Sequence, residues 1–136
     1  MARNIIDLPT LGDDGRLYRD TALDLVESLI PNQWESCHAP DLLELENGDL
    51  LCCWFAGSSE GNADISIAVA RLPAGASQWE QPVIVSDDPT RSEQNPSLFQ
   101  NPNGDIWLMY TAQAAKKPDD NNPDSMQGTA EIRRKN

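Results

Sequence analysis

The sequence contains an internal repeat made of two segments of equal length. Residues 40–56 align with residues 96–112 without a gap, so that each residue of the second segment lies 56 positions after its counterpart. Both copies share a leading proline, an Asn-Gly-Asp triplet, an aromatic residue and a closing alanine; in the first copy these are Pro40, Asn47-Gly48-Asp49, Trp54 and Ala56. A fixed period of this length is typical of repeat architectures such as β-propellers, whose units cannot bury their faces alone.

Each copy has the pattern of a β-hairpin. The Asn-Gly pair lies between two apolar runs, and this dipeptide readily adopts the positive φ angles of a type I′ turn. Apolar residues occupy both faces of the returning strands, 50–55 and 106–111. We therefore expect sheets that are covered on both sides, as in stacked propeller blades, with a two-layer sandwich as the alternative.

Further strands extend each hairpin toward a four-stranded unit. Alternating patterns predict a third strand over 64–72 and a fourth over 80–86 in the first unit. The second unit continues through a polar loop, 114–127, into a third strand over 128–134, and no fourth strand follows. The predicted fold class is therefore all-β, with about two blades of four-stranded antiparallel sheet, and we expect the chain to be an N-terminal fragment of a larger propeller.

These patterns divide the chain into three parts. They are an N-terminal arm or strand of another blade (1–35), a first blade (36–90) and a second, incomplete blade (91–136). Within the first part, residues 1–20 are expected to be a polar arm. Residues 22–30 suit a helix slightly better than a strand, and an outer strand of another blade is the alternative.

The composition excludes several classes of function. A net charge of −12 argues against nucleic-acid binding, and the basic residues 133–135 are expected to be a solvated strand end. No apolar run approaches the ~18 residues that span a bilayer, and the N-terminus lacks the apolar stretch of a signal peptide. We expect a cytoplasmic protein without membrane contact. Cys37, Cys52 and Cys53 lack metal-binding spacing and are expected to be buried free thiols, and no metal or cofactor is predicted.

Strand direction places four polar segments at one end of the predicted blades. We call this end the mouth; its segments are 36–39, 57–62, 91–95 and the residues from 113 onward. Carboxylates, amides and an aromatic wall at one place are what a carbohydrate site requires. The candidate catalytic residues are His38, Glu60, Asp64 and Glu93. The candidate substrate-binding residues are Trp54, Gln94, Asn95, Tyr110 and Gln113.

Each candidate also has a purely structural interpretation. Glu60 and Glu93 are placed in loops, where carboxylates are more often solvated than catalytic, and Asp64 at a strand start can cap backbone amides. Trp54 can belong to the core, and a lone histidine such as His38 is more often structural. Residues 94–96 can bind a ligand or can tie two blades together through side-chain hydrogen bonds.

Three runs of the sequence resemble a known family. The runs 37–61 and 64–68 (Asp-Ile-Ser-Ile-Ala), and the run 92–113 that begins Ser-Glu-Gln-Asn-Pro-Ser-Leu-Phe-Gln, are similar to BNR-repeat, sialidase-like six-bladed propellers of the predicted neuraminidase type. The resemblance covers about residues 36–134. It implies a glycoside-hydrolase-type propeller, of which this chain would be the beginning.

The resemblance also implies roles for particular residues. His38-Ala39-Pro40 stands where sialidases have an Arg-Ile-Pro motif that holds the substrate carboxylate, and residues 72–79 keep only Trp79 of the Ser-x-Asp-x-Gly-x-x-Trp box. Glu60 would take the place of the acid/base aspartate, and Asp64 matches the strand-opening aspartate. The tyrosine nucleophile, its glutamate partner and two further arginines would lie in later blades.

The leading functional hypothesis is a fragment of a sialidase-like glycoside hydrolase that acts on terminal sugars of glycans and is inactive by itself. One alternative is a propeller polysaccharide lyase or another exo-glycosidase that uses His38. A second is a non-catalytic carbohydrate-binding or scaffolding propeller. The expected partners are a carbohydrate substrate and either the remaining blades of a parent propeller or another copy of the chain.

Overall fold

The computed structural model of the chain describes residues 6–7, 12–117 and 124–136. These residues form an all-β fold with one short helical turn. The elements are β1 (Ile6–Asp7), β2 (Tyr18–Asp20), β3 (Leu25–Glu27), β4 (Ser36–Glu44), β5 (Leu50–Gly57), β6 (Ser66–Leu72), β7 (Val83–Ile84), β8 (Arg91–Gln100), β9 (Ile106–Ala114), α1 (Asp124–Gln127) and β10 (Glu131–Lys135).

The first repeat forms a four-stranded antiparallel sheet in the order β4-β5-β6-β7. Its central strand β5 is apolar on both faces, and both faces are buried, as its sequence predicts. Leu51, Cys53 and Phe55 face a core shared with the second sheet, whereas Cys52 and Trp54 face a core shared with the N-terminal segment. Burial of a side chain as large as Phe55 contributes roughly 1.5–3 kcal/mol.

The second repeat forms a three-stranded antiparallel sheet in the order β10-β9-β8. Leu98, Leu108 and Tyr110 pack against the first sheet. The opposite face was expected to be covered as well, and this expectation is wrong for the described residues. Phe99 is 47% exposed and Ile132 is 84% exposed on the second sheet. Coverage on both faces therefore holds for the first repeat alone.

The N-terminal segment folds as a small sheet rather than as an arm with a helix. Strand β1 pairs in parallel with β2, and β2 pairs antiparallel with β3, in the order β1-β2-β3. The preference for a helix over 22–30 is wrong, because a turn and strand β3 occupy this region. Trp34 contacts Trp54 edge to face, with ring centroids 6.4 Å apart, and thereby joins this segment to the first sheet.

Both Asn-Gly hairpins form, but their turns are not type I′. Gly48 and Gly104 have φ angles of 86° and 89°, whereas the asparagines before them are absent from the residues with positive φ. The Gly48 amide donates to the Leu45 carbonyl, and the Leu45 amide donates to the Asp49 carbonyl. This pattern is a turn followed by a left-handed glycine, in which only one position requires positive φ.

The first strand of each repeat, β4 and β8, contains a β-bulge that the sequence does not reveal. The pairing of β4 with β5 shifts between His38 and Asp41, and the pairing of β8 with β9 shifts between Gln94 and Ser97. The residue before each repeat proline adopts a left-handed conformation, with φ of 52° at Ala39 and 50° at Asn95. Bulges of this kind redirect side chains and occur often next to active sites.

Other element bounds differ modestly from the predictions. Strand β6 begins at Ser66 rather than at residue 64, and the fourth strand is confined to Val83–Ile84. The predicted loop 114–127 ends in helix α1, residues 118–123 lie outside the described residues, and the third strand of the second sheet is β10. Among the helices of the described residues, none is long and apolar enough to cross a membrane.

Candidate functional site

The four mouth segments do lie at one end of the two sheets. Ser36 at the start of β4 pairs with Gly57 at the end of β5, and Arg91 at the start of β8 pairs with Ala114 at the end of β9. The Lys116 amide donates a hydrogen bond of 2.7 Å to the Gly61 carbonyl, which joins the mouth loop of the first sheet to that of the second. The mouth is therefore a continuous surface formed by both repeats.

His38 lies on the exposed edge strand β4 at this surface. Its ring contacts Phe55 edge to face, with centroids 5.7 Å apart, and its remaining surface is exposed. His38 borders an open cleft of about 240 Å³. The lining is Ile30, Asn32, Cys37, His38, Pro40, Cys52 and Trp54. A titratable ring beside an apolar wall is suited to contact with a polar ligand that has one apolar face.

Trp54 belongs mainly to the core. It is 7% exposed and packs with Trp34 and Ala56 between the first sheet and the N-terminal segment. The core interpretation of this residue is therefore the better one. Trp54 nevertheless contributes to the lining of the cleft beside His38.

Glu60 and Asp64 belong to the loop between β5 and β6, and both are exposed. The carboxylate of Asp64 accepts hydrogen bonds from the hydroxyl group of Ser58, at 2.9 Å, and from its backbone amide, at 3.3 Å. Asp64 thus shapes the mouth loop, as its capping interpretation predicts. It also borders an open cleft of about 370 Å³ together with Asp87 and Asp88.

Glu93 differs most from its predicted environment. It was placed in a solvated loop, yet it lies within β8 with 0% exposure, and neither carboxylate oxygen has a hydrogen-bond partner among the described residues. Burial raises the pKa of the Glu93 carboxyl group, and the Ser86 hydroxyl and the Asp88 backbone partly oppose this. Tyr110, also buried, has its pKa raised by burial and then by the charge of Glu93.

Arg133 is the main residue of this region that the sequence analysis missed. Its guanidinium group lies 2.7 Å from Asp88 and 3.0 Å from Glu131, and it approaches Glu93 at 4.0 Å. The prediction that 133–135 is merely a solvated strand end is thus wrong for Arg133. The neighbouring Arg134 lies over the ring of Trp107, with its guanidinium carbon 4.4 Å from the ring centroid. Strand alternation could place Arg133 on the inner face, but it could not supply the register with Tyr110.

The Asp88 carboxyl group is stabilised as an anion. Hydrogen bonds from the side chain and backbone of Thr90, followed by the Arg133 guanidinium group, lower its pKa to about 2. The same interactions with Asp88 and Glu131 raise the pKa of Arg133. We call Ser86, Asp88, Glu93, Tyr110 and Arg133 the inter-sheet polar cluster.

The predicted amide ligands are divided between the interior and the surface. Gln94 is 5% exposed and donates to the Ser92 hydroxyl group at 2.9 Å, and Gln113 is also 5% exposed. These two side chains support the mouth from beneath. Asn95 is exposed at the bulge and remains accessible to a ligand.

The three cysteines are free, but they are not all buried. Cys37 is exposed, which contradicts its prediction, and its thiol donates to the Asn32 side chain at 3.1 Å. Burial raises the pKa of Cys52 to about 11 and that of Cys53 to about 12. Within residues 6–7, 12–117 and 124–136, no group of three or more His, Cys, Asp or Glu side chains has the geometry to hold a metal ion.

Comparison with known proteins identifies the family. The sequence profile of the BNR repeat-like domain matches residues 48–129, which is more than half of the chain. The chain belongs to the BNR repeat-like family. No curated protein sequence is significantly similar to it.

A solved structure supports the same fold for this BNR repeat-like chain. The chain is similar to the Hadza microbial sialidase Hz136, with a TM-score of 0.59, 18% sequence identity and 74% of the chain covered. The match spans 23% of the sialidase chain. The likeness confirms the all-β, propeller-type arrangement of antiparallel sheets.

Proposed function

We propose that the chain is part of a sialidase-like glycoside hydrolase that acts on terminal sugars of glycans, with the mouth as its sugar-facing surface. The observation that carries this proposal is the hydrogen bond between Lys116 and Gly61, because it unites the loops of both repeats in one surface. His38 and Glu60 are exposed on that surface, and the family relationship supports a carbohydrate ligand.

The exposed residues have distinct roles in this proposal. His38 lies beside an apolar cleft, so its ring would contact a sugar and exchange a proton with it. Glu60 would serve as the carboxylate of the mouth, since its side chain is exposed. Asp64 is a positioning residue, because its carboxylate is already engaged by Ser58.

The buried residues would act indirectly. Glu93 has no exposed surface, so it would support the mouth from below rather than contact a sugar. Gln94 and Gln113 lie at comparable depth and would keep the starts of the strands in place. Asn95 would be the amide that reaches the ligand.

Titration of the isotope-labelled chain with an oligosaccharide tests the location of the surface. Amide resonances of residues 36–39, 57–62 and 95 should shift with millimolar 3′-sialyllactose or lactose, while those of Gly48 and Gly104 at the opposite end should not. Shifts at the hairpins alone, or none at all, would contradict the proposal. Shifts caused only by a uronate-containing oligosaccharide would favour the polysaccharide lyase alternative.

His38→Gln provides a matched variant, because glutamine is the residue at the equivalent position of the second repeat, Gln94. It should leave the thermal midpoint unchanged and weaken binding. In a longer protein that contains this chain and cleaves a glycoside, His38→Ala should lower kcat/KM by about 10²-fold, the usual contribution of a positioned acid or base. Unchanged turnover together with a lower thermal midpoint would assign His38 a structural role.

A further inference from the structure

The inter-sheet polar cluster contains more acid than base. The Arg133 guanidinium group is the cation that approaches Glu93, and it already contacts Asp88 at 2.7 Å and Glu131 at 3.0 Å. Glu93 lies farther away, at 4.0 Å. Glu131 also pairs with Arg91 at 3.0 Å, so the closest competitor for Arg133 is Asp88, and an ionised Glu93 would share a cation that Asp88 holds more closely.

The position of Glu93 makes this imbalance relevant to sheet docking. Its side chain lies on the same face of the second sheet as Ala112 and Tyr110, and this face packs on the first sheet. Its backbone amide donates a hydrogen bond of 2.9 Å to the Ile65 carbonyl of the first repeat. Glu93 therefore forms a direct backbone hydrogen bond between the repeats. Its carboxyl group is also the one in the cluster that lies farther from the Arg133 cation.

The groups that face Glu93 come from each neighbouring element. Ser86 and Asp88 belong to the connection between β7 and β8, Tyr110 to β9 and Arg133 to β10. The Ser86 hydroxyl oxygen already accepts the Ile67 amide at 2.7 Å. Asp87, in the same connection, adds a further negative charge that acts on Tyr110. This set favours a neutral Glu93 over a charged one, because a fully buried carboxylate beside Asp88, with its nearest cation already engaged, is costly.

We propose that Glu93 is a proton-operated latch between the two sheets, closed when its carboxyl group is neutral and loosened when that group ionises. In the closed state the sheets stay docked and the mouth remains continuous. In the loosened state the contact between Glu93 and Ile65 opens more often, and the two mouth loops lose their fixed relation. The device needs no ligand and is separate from any sugar-binding role of the mouth.

The direction of the pH dependence follows from the environment of Glu93. Because its pKa is raised in the native chain, the native state holds a proton that the unfolded chain has released. The free energy of unfolding therefore falls as the pH rises from the ordinary glutamate pKa through the raised one, and it stays lower above that range. Asp88 acts at lower pH, because its pKa is about 2, so the two effects are separable.

Hydrogen exchange of the Glu93 amide tests the latch in the wild-type chain. After correction for intrinsic exchange, the protection of this amide should fall by about tenfold between pH 5 and pH 8. The Gly48 amide, which closes the distant hairpin, serves as an internal reference and should show no such fall. Equal pH dependence at both amides would overturn the proposal.

Glu93→Gln keeps the shape and removes the ionisation, so it should abolish the pH dependence of inter-sheet protection. Glu60→Gln is the matched control at an exposed mouth position and should leave it unchanged. A direct carboxyl titration by NMR of the wild-type chain makes the test independent of any variant. A Glu93 carboxyl group that titrates in the ordinary glutamate range, or a pH dependence that persists in Glu93→Gln, would overturn the latch.

Discussion

The two repeats have the same arrangement of hairpin and bulge, but they differ in how much of each sheet face is buried. The strand of the first repeat that follows the Asn-Gly turn is buried on both sides, whereas the matching strand of the second repeat leaves Met109 39% exposed. The hairpin and bulge are preserved at matching positions in both. Local geometry therefore follows the repeated residues, and burial follows the neighbours that each sheet has.

The test with the largest expected effect truncates one side chain on the same face of each repeat. Phe55→Ala should lower the free energy of unfolding by about 3–5 kcal/mol, because Phe55 is 1% exposed between the two sheets. Met109→Ala, on the corresponding face of the second repeat, should cost less than about 1 kcal/mol. Urea unfolding followed by tryptophan fluorescence measures both. Similar losses would show that the open face of the second sheet is covered in solution.

A second test uses the aspartates of the two Asn-Gly-Asp triplets. Asp49 is 4% exposed and accepts bonds from Arg71, Asn47 and the Ala74 amide, whereas Asp105 is exposed and accepts from Asn101. The Ala74 amide, followed by Arg71, lowers the pKa of Asp49. Its stabilising effect is present above the ordinary aspartate pKa and is lost as the pH falls through the lowered value.

We therefore expect Asp49→Asn to lower the thermal midpoint at pH 7 more than Asp105→Asn does. The difference between the two variants should shrink in acid, as the pH falls through the lowered pKa of Asp49 and the wild-type carboxylate becomes protonated. Thermal unfolding of both variants at pH 7 and pH 3 measures this. A constant difference at the two pH values would mean that the charge of Asp49 is not what distinguishes the triplets.

The test with the smallest expected effect exchanges the residues that adopt a left-handed conformation at the two bulges. Ala39→Asn should stabilise the chain by about 0.5–1 kcal/mol, and Asn95→Ala should destabilise it by a similar amount, because asparagine tolerates positive φ better than alanine. Chemical denaturation of the two single variants and of the double variant measures the effect. Changes of the same sign would show that side-chain contacts, rather than backbone strain, dominate at these sites.

The sequence predicted the features that depend on local pattern. The apolar residues on both faces of strand 50–55 correctly predicted burial on both sides, and antiparallel strand direction correctly placed the mouth segments at one end. It failed where register or tertiary contact decides. The burial of Glu93 and its approach to Arg133 depend on the pairing of β10 with β9, which no local pattern encodes.

The N-terminal segment failed for a related reason. The spacing of apolar residues over 22–30 fits a helix by count, but β3 is held by backbone pairing with β2 rather than by an apolar stripe. Cys37 was assigned to the interior by residue type, yet it lies on an edge strand at the border of a cleft. Composition cannot distinguish an edge strand from a central one.

The contact between Asp41 and the second repeat has an evolutionary consequence. The Asp41 carboxylate accepts a hydrogen bond from the hydroxyl group of Ser97, which is the residue at the equivalent position of the second repeat, 56 residues later. It also accepts a hydrogen bond of 2.7 Å from the Leu98 amide. Because the amide donor is backbone, a tandem duplication of 56 codons copies the donor whatever side chains later diverge. A newly duplicated unit would thus carry the backbone donor of this contact from the start, and selection need only retain an acceptor at one position.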